Sequence, residues 1–267
     1  MRTFKIFILF ILLIPIVFIS LKLKTTFLNT QNILFENFNF QGIECIDNEI
    51  YLISNFDSKI YKINEKFELQ EFLDTAIVYK NKYIFSHATS FYIKDKIFYG
   101  VNSMANMNGV MVIAKLNNIK NNMKLSELEY EAISLKTNIN HLEYFSNGEQ
   151  ILLKHFQSTN DNKNSIKIFI NEELKCEIEN NLVIQNIYYD KKKNEVLLIS
   201  NLLKHYFGII YNLPIKTICN NKVLNFFNIK NKKLIISPFY ELEGYTLCNN
   251  KEYFVYINNK DSRIYVK

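Results

Sequence analysis

Short apolar runs separated by polar pairs fill the chain from about residue 40 onward. QGIECIDNEIYLISNFDSKIYKIN (41–64) shows the pattern: Ile-Tyr-Leu-Ile, then Asn-Phe-Asp-Ser, then Lys-Ile-Tyr-Lys-Ile. Similar runs stand at 49–54, 59–63, 83–85, 90–93, 96–101, 110–116, 150–154, 166–170, 195–200, 207–211, 233–237 and 252–257. Runs of this length, rich in Ile, Tyr and Phe, predict strands, because branched and aromatic side chains fit a pleated surface. Asp47-Asn48, Lys94-Asp95, Asn147-Gly148 and Asn249-Asn250 fall between runs and predict tight hairpin turns. No helical period is sustained after Lys24; KLSELEYEA (124–132) offers one helical turn, placed as an insertion between strands. The fold class is therefore all-β, built of consecutive antiparallel hairpins.

A longer period sets the architecture. An apolar strand, a turn and a second strand recur from Gln41, His87, Asn140, Ile184 and Glu243. The starts are roughly 40 to 60 residues apart, the range of one four-stranded propeller blade. The spacing predicts a β-propeller of five blades; a hairpin from Val223 supplies either a sixth start or the outer strands of the fourth blade. The last repeat, EGYTLCNNKEYFVYINNKDSRIYVK (243–267), ends after three strands. The alternating segment 33–38 has no partner of its own, and pairing it with 263–266 would close the ring and leave no open edge. The predicted domains are an N-terminal segment (1–24), a linker (25–32) and the propeller (33–267).

The segments GIECIDNEIYLISNFDSKIYKIN and EGYTLCNNKEYFVYINNKDSRIYVK resemble the blades of bacterial quinoprotein-like and NHL-like propellers. There, Gly, an apolar residue, a two-residue turn, an apolar-Tyr-apolar run ending in Ser, and a further Ile-containing strand mark the inner three strands. Gln41-Gly42-Ile43 is also similar to the opening of the first blade in glutaminyl-cyclotransferase-like five-bladed proteins. The resemblance implies the fold. The Trp-containing and Gly-rich signatures of those families are absent, since the chain has no Trp and only 6 Gly, so it carries no activity.

Composition fits an ordered domain: 48% hydrophobic, 15% aromatic and 22% charged. Asn makes up about one residue in seven and can serve turns that Gly usually serves. The formal net charge is +6, of which Arg2, Lys5, Lys22 and Lys24 supply four. The remainder gives no case for nucleic-acid binding, and Lys191-Lys192-Lys193 reads as a solvated turn. Those four cations flank IFILFILLIPIVFISL (6–21), which is uncharged. With Phe4 and the stems of Lys5 and Lys22 it approaches the length that spans a bilayer. No Ala-x-Ala pattern ends the run, so an uncleaved transmembrane helix is expected in preference to a cleaved signal. Residues 4–21 are thus the expected membrane contact, with the body extracytoplasmic.

Motifs for chemistry are few. No nucleophile elbow, phosphate loop or zinc-protease motif is present. Inner propeller strands converge at a central channel, so residues that open successive repeats can meet. Gln41, His87, His141, Gln185 and Glu243 form such a set, with Glu44 and Glu143 just beyond. These groups could hold a small polar ligand, and a divalent metal is a candidate occupant, though no cofactor is specifically predicted. Equally, they could hydrogen-bond one another and channel water. Cys45, Cys176, Cys219 and Cys248 form no Cys-x-x-Cys pair; Cys45 and Cys248 occupy matching places in neighbouring repeats, but strands of different blades are too far apart at most heights, so free buried thiols are expected. Tyr188-Tyr189, Phe226-Phe227 and Phe239-Tyr240 are read as packing between blades. The functional expectation is a tethered module that binds a protein, glycan or small ligand. The alternative is an enzyme (hydrolase, lyase or cyclotransferase) with its site at the channel mouth.

Overall fold

The computed structural model describes residues 24–27, 31–80, 82–86, 88–102, 110–116, 120–134, 138–146, 150–157, 164–171, 173–182, 184–190, 192–202, 207–220, 223–224, 229, 231–236, 240–258 and 260–267. Two N-terminal strands, β1 (Lys24–Phe27) and β2 (Gln31–Phe35), precede the first blade. The first blade is β3 (Phe40–Ile46), β4 (Glu49–Ser54), β5 (Lys59–Ile63) and β6 (Leu69–Asp74). A small hairpin, β7 (Ile77–Tyr79) and β8 (Lys82–Phe85), leads to the second blade. That blade comprises β9 (Ser90–Lys94), β10 (Ile97–Asn102), β11 (Val110–Lys115) and β13 (Tyr130–Ser134), with β12 (Met123–Lys124) inserted before β13. The third blade is β14 (Asn138–Ser146), β15 (Gln150–Gln157), β16 (Asn164–Ile170) and β17 (Glu173–Asn180). The fourth is β18 (Ile184–Asp190), β19 (Glu195–Leu202), β20 (Phe207–Pro214) and, after a short helix α1 (Ile215–Ile218) and strand β21 (Val223–Leu224), β22 (Asn231–Ile236). The fifth is β23 (Glu241–Cys248), β24 (Lys251–Ile257), β25 (Ser262–Val266) and β2.

The ring has five blades. The hairpin from Val223 does not start a sixth: β22 is the outer strand of the fourth blade, and β21 lies parallel to β17 at the edge of the third. Closure follows the expected route. β2 pairs antiparallel with β25 from Gln31↔Val266 to Phe35↔Ser262. Ser262 fixes the junction, its hydroxyl donating to Phe38 O and accepting from Phe40 N. The stretch 25–32, read as a linker, carries most of β1 and the start of β2; β1 runs parallel to β22 along the fourth blade. The apolar run 6–21 lies outside the described residues. Among the described residues no helix is long and apolar enough to cross a membrane.

The edges of three blades are covered by a borrowed parallel strand: β12 on β6, β21 on β17 and β1 on β22. Each satisfies backbone groups that an edge would leave unpaired. Inner strands are sandwiched between neighbouring blades and so read as near-continuous apolar runs. β4 is buried along almost its whole length, whereas outer β13 is mostly exposed. The core is correspondingly a set of interfaces between blades. Tyr51, Ile53 and Phe72 meet Phe91 and Phe98, while Leu197 and Ile210 meet Tyr245 and Phe254. Turns follow the sequence closely: Asp47 and Asn48, and Asn249 and Asn250, all have positive φ, as the mirror-image hairpin turn requires. In the second blade the turn falls on Asp95 and Lys96, one residue later than expected. The helical turn expected in 124–132 is a 3-10 turn at Leu125–Glu127.

All four cysteines are paired, which corrects the expectation of free thiols. Cys45 joins Cys248 and Cys176 joins Cys219, with Cα separations of 5.6 and 5.7 Å. The expectation failed because the first and fifth blades converge at the hub. Gly244 lets them approach: a Cβ there would lie 2.9 Å from Ile43 Cγ2 and 3.1 Å from Ile43 N. The second bridge ties the end of α1 to the outer strand of the third blade.

Candidate functional site

The five inner strands β3, β9, β14, β18 and β23 contact one another around the hub. We call the end at which they begin the upper end. There, four of them share one irregularity. The register shifts between Phe40 and Gly42, Ile139 and His141, Ile184 and Asn186, and Leu242 and Gly244. Each shift is a β-bulge whose extra residue, Gln41, Asn140, Gln185 or Glu243, has no partner across the ladder. Bulges bend a strand and re-aim its side chains. In the second blade Thr89 takes the corresponding place, with its N–H and hydroxyl both donating to Val101 O at 2.8 and 3.2 Å.

A polar cluster spans the bulges of the fourth and fifth blades. Gln185 Nε2 donates to Glu241 Oε1 at 2.8 Å and to Glu243 Oε1 at 3.4 Å. Asn201 Nδ2 donates to Glu241 Oε1 at 3.2 Å and to Leu242 O at 3.0 Å, while its Oδ1 accepts from Leu242 N at 3.1 Å. Asn201 thus supplies hydrogen bonds to the backbone beside the bulge. Glu243 is only 8% exposed. Burial, with a smaller contribution from the Glu241 charge, pushes its carboxyl well above the ordinary carboxylate range. The two carboxyl groups therefore differ in character: Glu243 favours its protonated form, and the half-buried Glu241 accepts two amide donors.

The same end of the hub gathers buried oxygens without partners. Asn39 Oδ1, Ser54 Oγ, Asn102 Oδ1, Asn186 Oδ1 and Tyr256 OH have no hydrogen-bond partner among the described residues; a sixth such oxygen, Thr246 Oγ1, lies farther down the hub. Ser54 and Tyr256 face the residues just before the bulges of their blades, Phe40 and Leu242, and Ser200 holds the matching place opposite Ile184. Asn186 directly follows its bulge. Buried polar atoms are nearly always paired with protein or water, so these oxygens leave hydrogen-bonding capacity at this end of the hub for water or a ligand.

The residues expected at the mouth are brought together in part. Gln41, Gln185 and Glu243 share the bulge position, and Gln185 touches Glu243. Glu44 lies farther down the hub, buried, at the level of Thr246. His87 lies outside the described residues. Repeat spacing alone put it in this row, but the row falls on Thr89, two residues later. His141 is one residue past the bulge at Asn140, paired in the ladder with His155; its side chain and that of Glu143 lie outside the described residues. Among the described residues no three His, Cys, Asp or Glu side chains converge as metal ligands. Of the aromatic pairs, Tyr189 is buried in the interface between the third and fourth blades, and Tyr188 meets Tyr245 across the next one. Tyr240 receives a hydrogen bond from Arg263 Nε. Phe226, Phe227 and Phe239 lie outside the described residues. Sequence reading missed Glu241, Asn186 and Asn201. The Glu-Leu-Glu triplet at 241–243 was an available signal for the first; the asparagines had none.

The sequence matches no family model. It matches no curated protein sequence either. Among solved structures, the chain is similar to an engineered GH43 glycoside hydrolase with endo-xylanase and exo-arabinofuranosidase activity, at 6% identity and a TM-score of 0.51. The likeness covers 84% of this chain, which spans only 49% of that one. A putative exported protein from Bacteroides fragilis aligns at 11% identity and a TM-score of 0.43, over 91% of this chain and 77% of its own. A gluconolactonase from Xanthomonas campestris aligns at 7% and 0.44, over 82% and 69%. Likeness at these identities concerns the fold alone.

Proposed function

We propose that the protein is a membrane-tethered, extracytoplasmic binding module that takes a polar, hydroxyl-bearing ligand, a glycan or a small polyol, at the upper mouth of its hub. The observation that carries this reading is the group of unpartnered buried oxygens at the upper end of the first, second, fourth and fifth blades. Amide and hydroxyl oxygens held out of water need donors, and a ligand rich in hydroxyl groups supplies them. Burial pushes the Glu243 carboxyl toward its uncharged form, which suits a neutral ligand. Two further features support the setting. The apolar run 6–21, extended by Phe4 and the stems of its flanking lysines, approaches the length that spans a bilayer. The two disulfides suit an oxidising compartment.

One observation favours a second reading, an enzyme. A buried carboxyl whose pKa is raised beside a second carboxylate is the arrangement that supplies a general acid; burial raises Glu243, and Gln185 holds it next to Glu241.

The test is a screen of the full-length protein in lipid nanodiscs against a glycan and polyol panel, read by calorimetry, with a divalent-metal series alongside. Binding of a polyol that weakens at least tenfold in Gln185→Ala and Asn186→Ala supports the mouth. Ligands whose affinity ignores both substitutions overturn it. Chemical turnover of a bound glycan, lost in Glu243→Gln, would select the enzymatic reading; metal binding without polyol binding would replace the ligand class.

A further inference from the structure

We propose that the lower end of the seam between the first and fifth blades holds a small zwitterion with an apolar side chain, a free amino acid or short peptide. This site is separate from the polar mouth, which lies at the other end of the hub. A cleft of about 550 Å³ opens at the lower end, a size within the range of small-molecule sites. One wall is the first blade: the start of β4, the end of β5 and the loop that leads into β6. The other is the hairpin of β23 and β24 in the fifth blade.

The floor is apolar and comes from both walls. Ile50, Ile63 and Tyr253 are buried, and the half-buried Phe67 packs against the same cluster. Phe67 has a φ of 62°, a left-handed backbone that a bulky residue seldom takes. Asn64 holds it there. Its Oδ1 accepts from Lys66 N and Glu68 N, each at 2.9 Å, and its backbone O accepts from Phe67 N at 2.9 Å. A turn position that usually falls to Gly or Asn thus carries an aromatic ring of the cleft. The two walls are also fastened to each other. Cys45 lies opposite Ile50 in its ladder and Cys248 opposite Lys251, so the Cys45–Cys248 bridge stands directly behind the cleft. Asn249 Nδ2 donates to Asn48 O at 3.1 Å across the seam. The cleft is therefore preformed, and a ligand need not order it.

Charge in the cleft is balanced and only half used. Lys62 is ion-paired with Glu49, which also accepts from Tyr51 OH at 3.1 Å. Glu65 on the first-blade wall and Lys251 on the fifth-blade wall are exposed and have no ion pair among the described residues. A ligand with an ammonium and a carboxylate answers both, the ammonium toward Glu65 and the carboxylate toward Lys251. Hydrogen bonds between charged groups are about twice as strong as neutral ones. The ligand's apolar side chain then covers the floor. A simple anion would meet Glu49 and Glu65, and a neutral sugar would leave both free charges unanswered.

The test is calorimetry on the full-length protein in nanodiscs, with free leucine, valine and phenylalanine and with the tripeptide of each. Binding of at least one is expected. Affinity should fall at least tenfold when the ligand is N-acetylated or C-amidated, and at least tenfold in Lys251→Glu. The same charge change at exposed Lys260, in the turn at the upper end of the fifth blade, should leave affinity unaltered. Phe67→Gly removes the ring at a backbone position that suits Gly, so the chain should fold and bind more weakly. Tighter binding of tripeptides identifies a peptide ligand, and tighter binding of the free amino acids identifies the monomer. No binding by any of these compounds overturns the proposal, as does affinity that ignores both end-blocking and Lys251→Glu. Polyol binding at the mouth is read by Gln185→Ala, so either site can fail without the other.

Discussion

The two ends of the hub are made by the same five strands and could hardly differ more. At the lower end the hairpins of the first, second and fifth blades turn in two residues, the inner ladders stay in register and Cys45–Cys248 bridges the first and fifth blades. At the upper end four ladders slip by one residue, carboxyl and amide side chains crowd together, and several oxygens lack partners. Regular pairing and apolar packing stabilise the lower end. The upper end retains irregular backbone and unspent hydrogen-bonding capacity, which a protein tolerates where a ligand is held.

That contrast can be tested most severely at the lower end. Replacing Cys45 and Cys248 by Ser removes a bridge across a sequence separation of 203 residues. The chain-entropy argument puts the loss at about 5 kcal/mol, against about 4 kcal/mol for the Cys176–Cys219 bridge, whose separation is 43. Denaturant midpoints of the two double mutants should fall in that order. Equal losses would mean that β2 pairing already closes the ring and the hub staple adds little.

A smaller effect is expected just below the bulges. Gly244→Val should lower stability by about 1–3 kcal/mol, because the new Cβ meets backbone as well as side chain of Ile43. Gly42→Ala should cost less, since the added carbon meets the end of the Ile53 side chain at 2.8 Å, and that end can rotate. Thermal melts that place Gly42→Ala below Gly244→Val would show that the closest approach lies at another seam.

The smallest effect belongs to the upper end. The folded-state pKa of Glu243 is raised above its unfolded value, so its contribution to stability is present at low pH and lost as pH climbs through the folded pKa. Above the ordinary carboxylate range the unfolded chain releases this proton freely while the fold retains it, and rising pH favours unfolding. Stability curves of wild type and Glu243→Gln should converge in acid and separate with rising pH, the variant becoming the more stable. Parallel curves would show that Glu243 is charged in the fold.

Much of the architecture was readable because each blade repeats a local pattern. Asp47-Asn48 and Asn249-Asn250 are turns that sequence chemistry specifies directly, and 49–54 and 59–63 are strands to the residue. The unpaired apolar segment upstream of Gln41 pointed to closure. Bulges were not readable, because a one-residue slip is a property of pairing between strands and leaves no mark on either alone. Their absence from the reading moved His87 and His141 into a row that falls on Thr89 and Asn140. The parallel edge strands β12 and β21 are two residues long, too short for any period. The disulfides were missed because sequence gives spacing along the chain, whereas hub strands of different blades approach to bonding distance in space.

Among the strands of the propeller, β1 and β2 are synthesised before all others and pair with two of the latest. β1 must wait for 233–236, and β2 for β25 at 262–266. Until then both are bare edges, and the ring is a row of sheets with two open sides. Closure is thus gated on β25: a chain interrupted before that strand leaves β2 a bare edge, a ready handle for chaperones or proteases that sort closed rings from open ones.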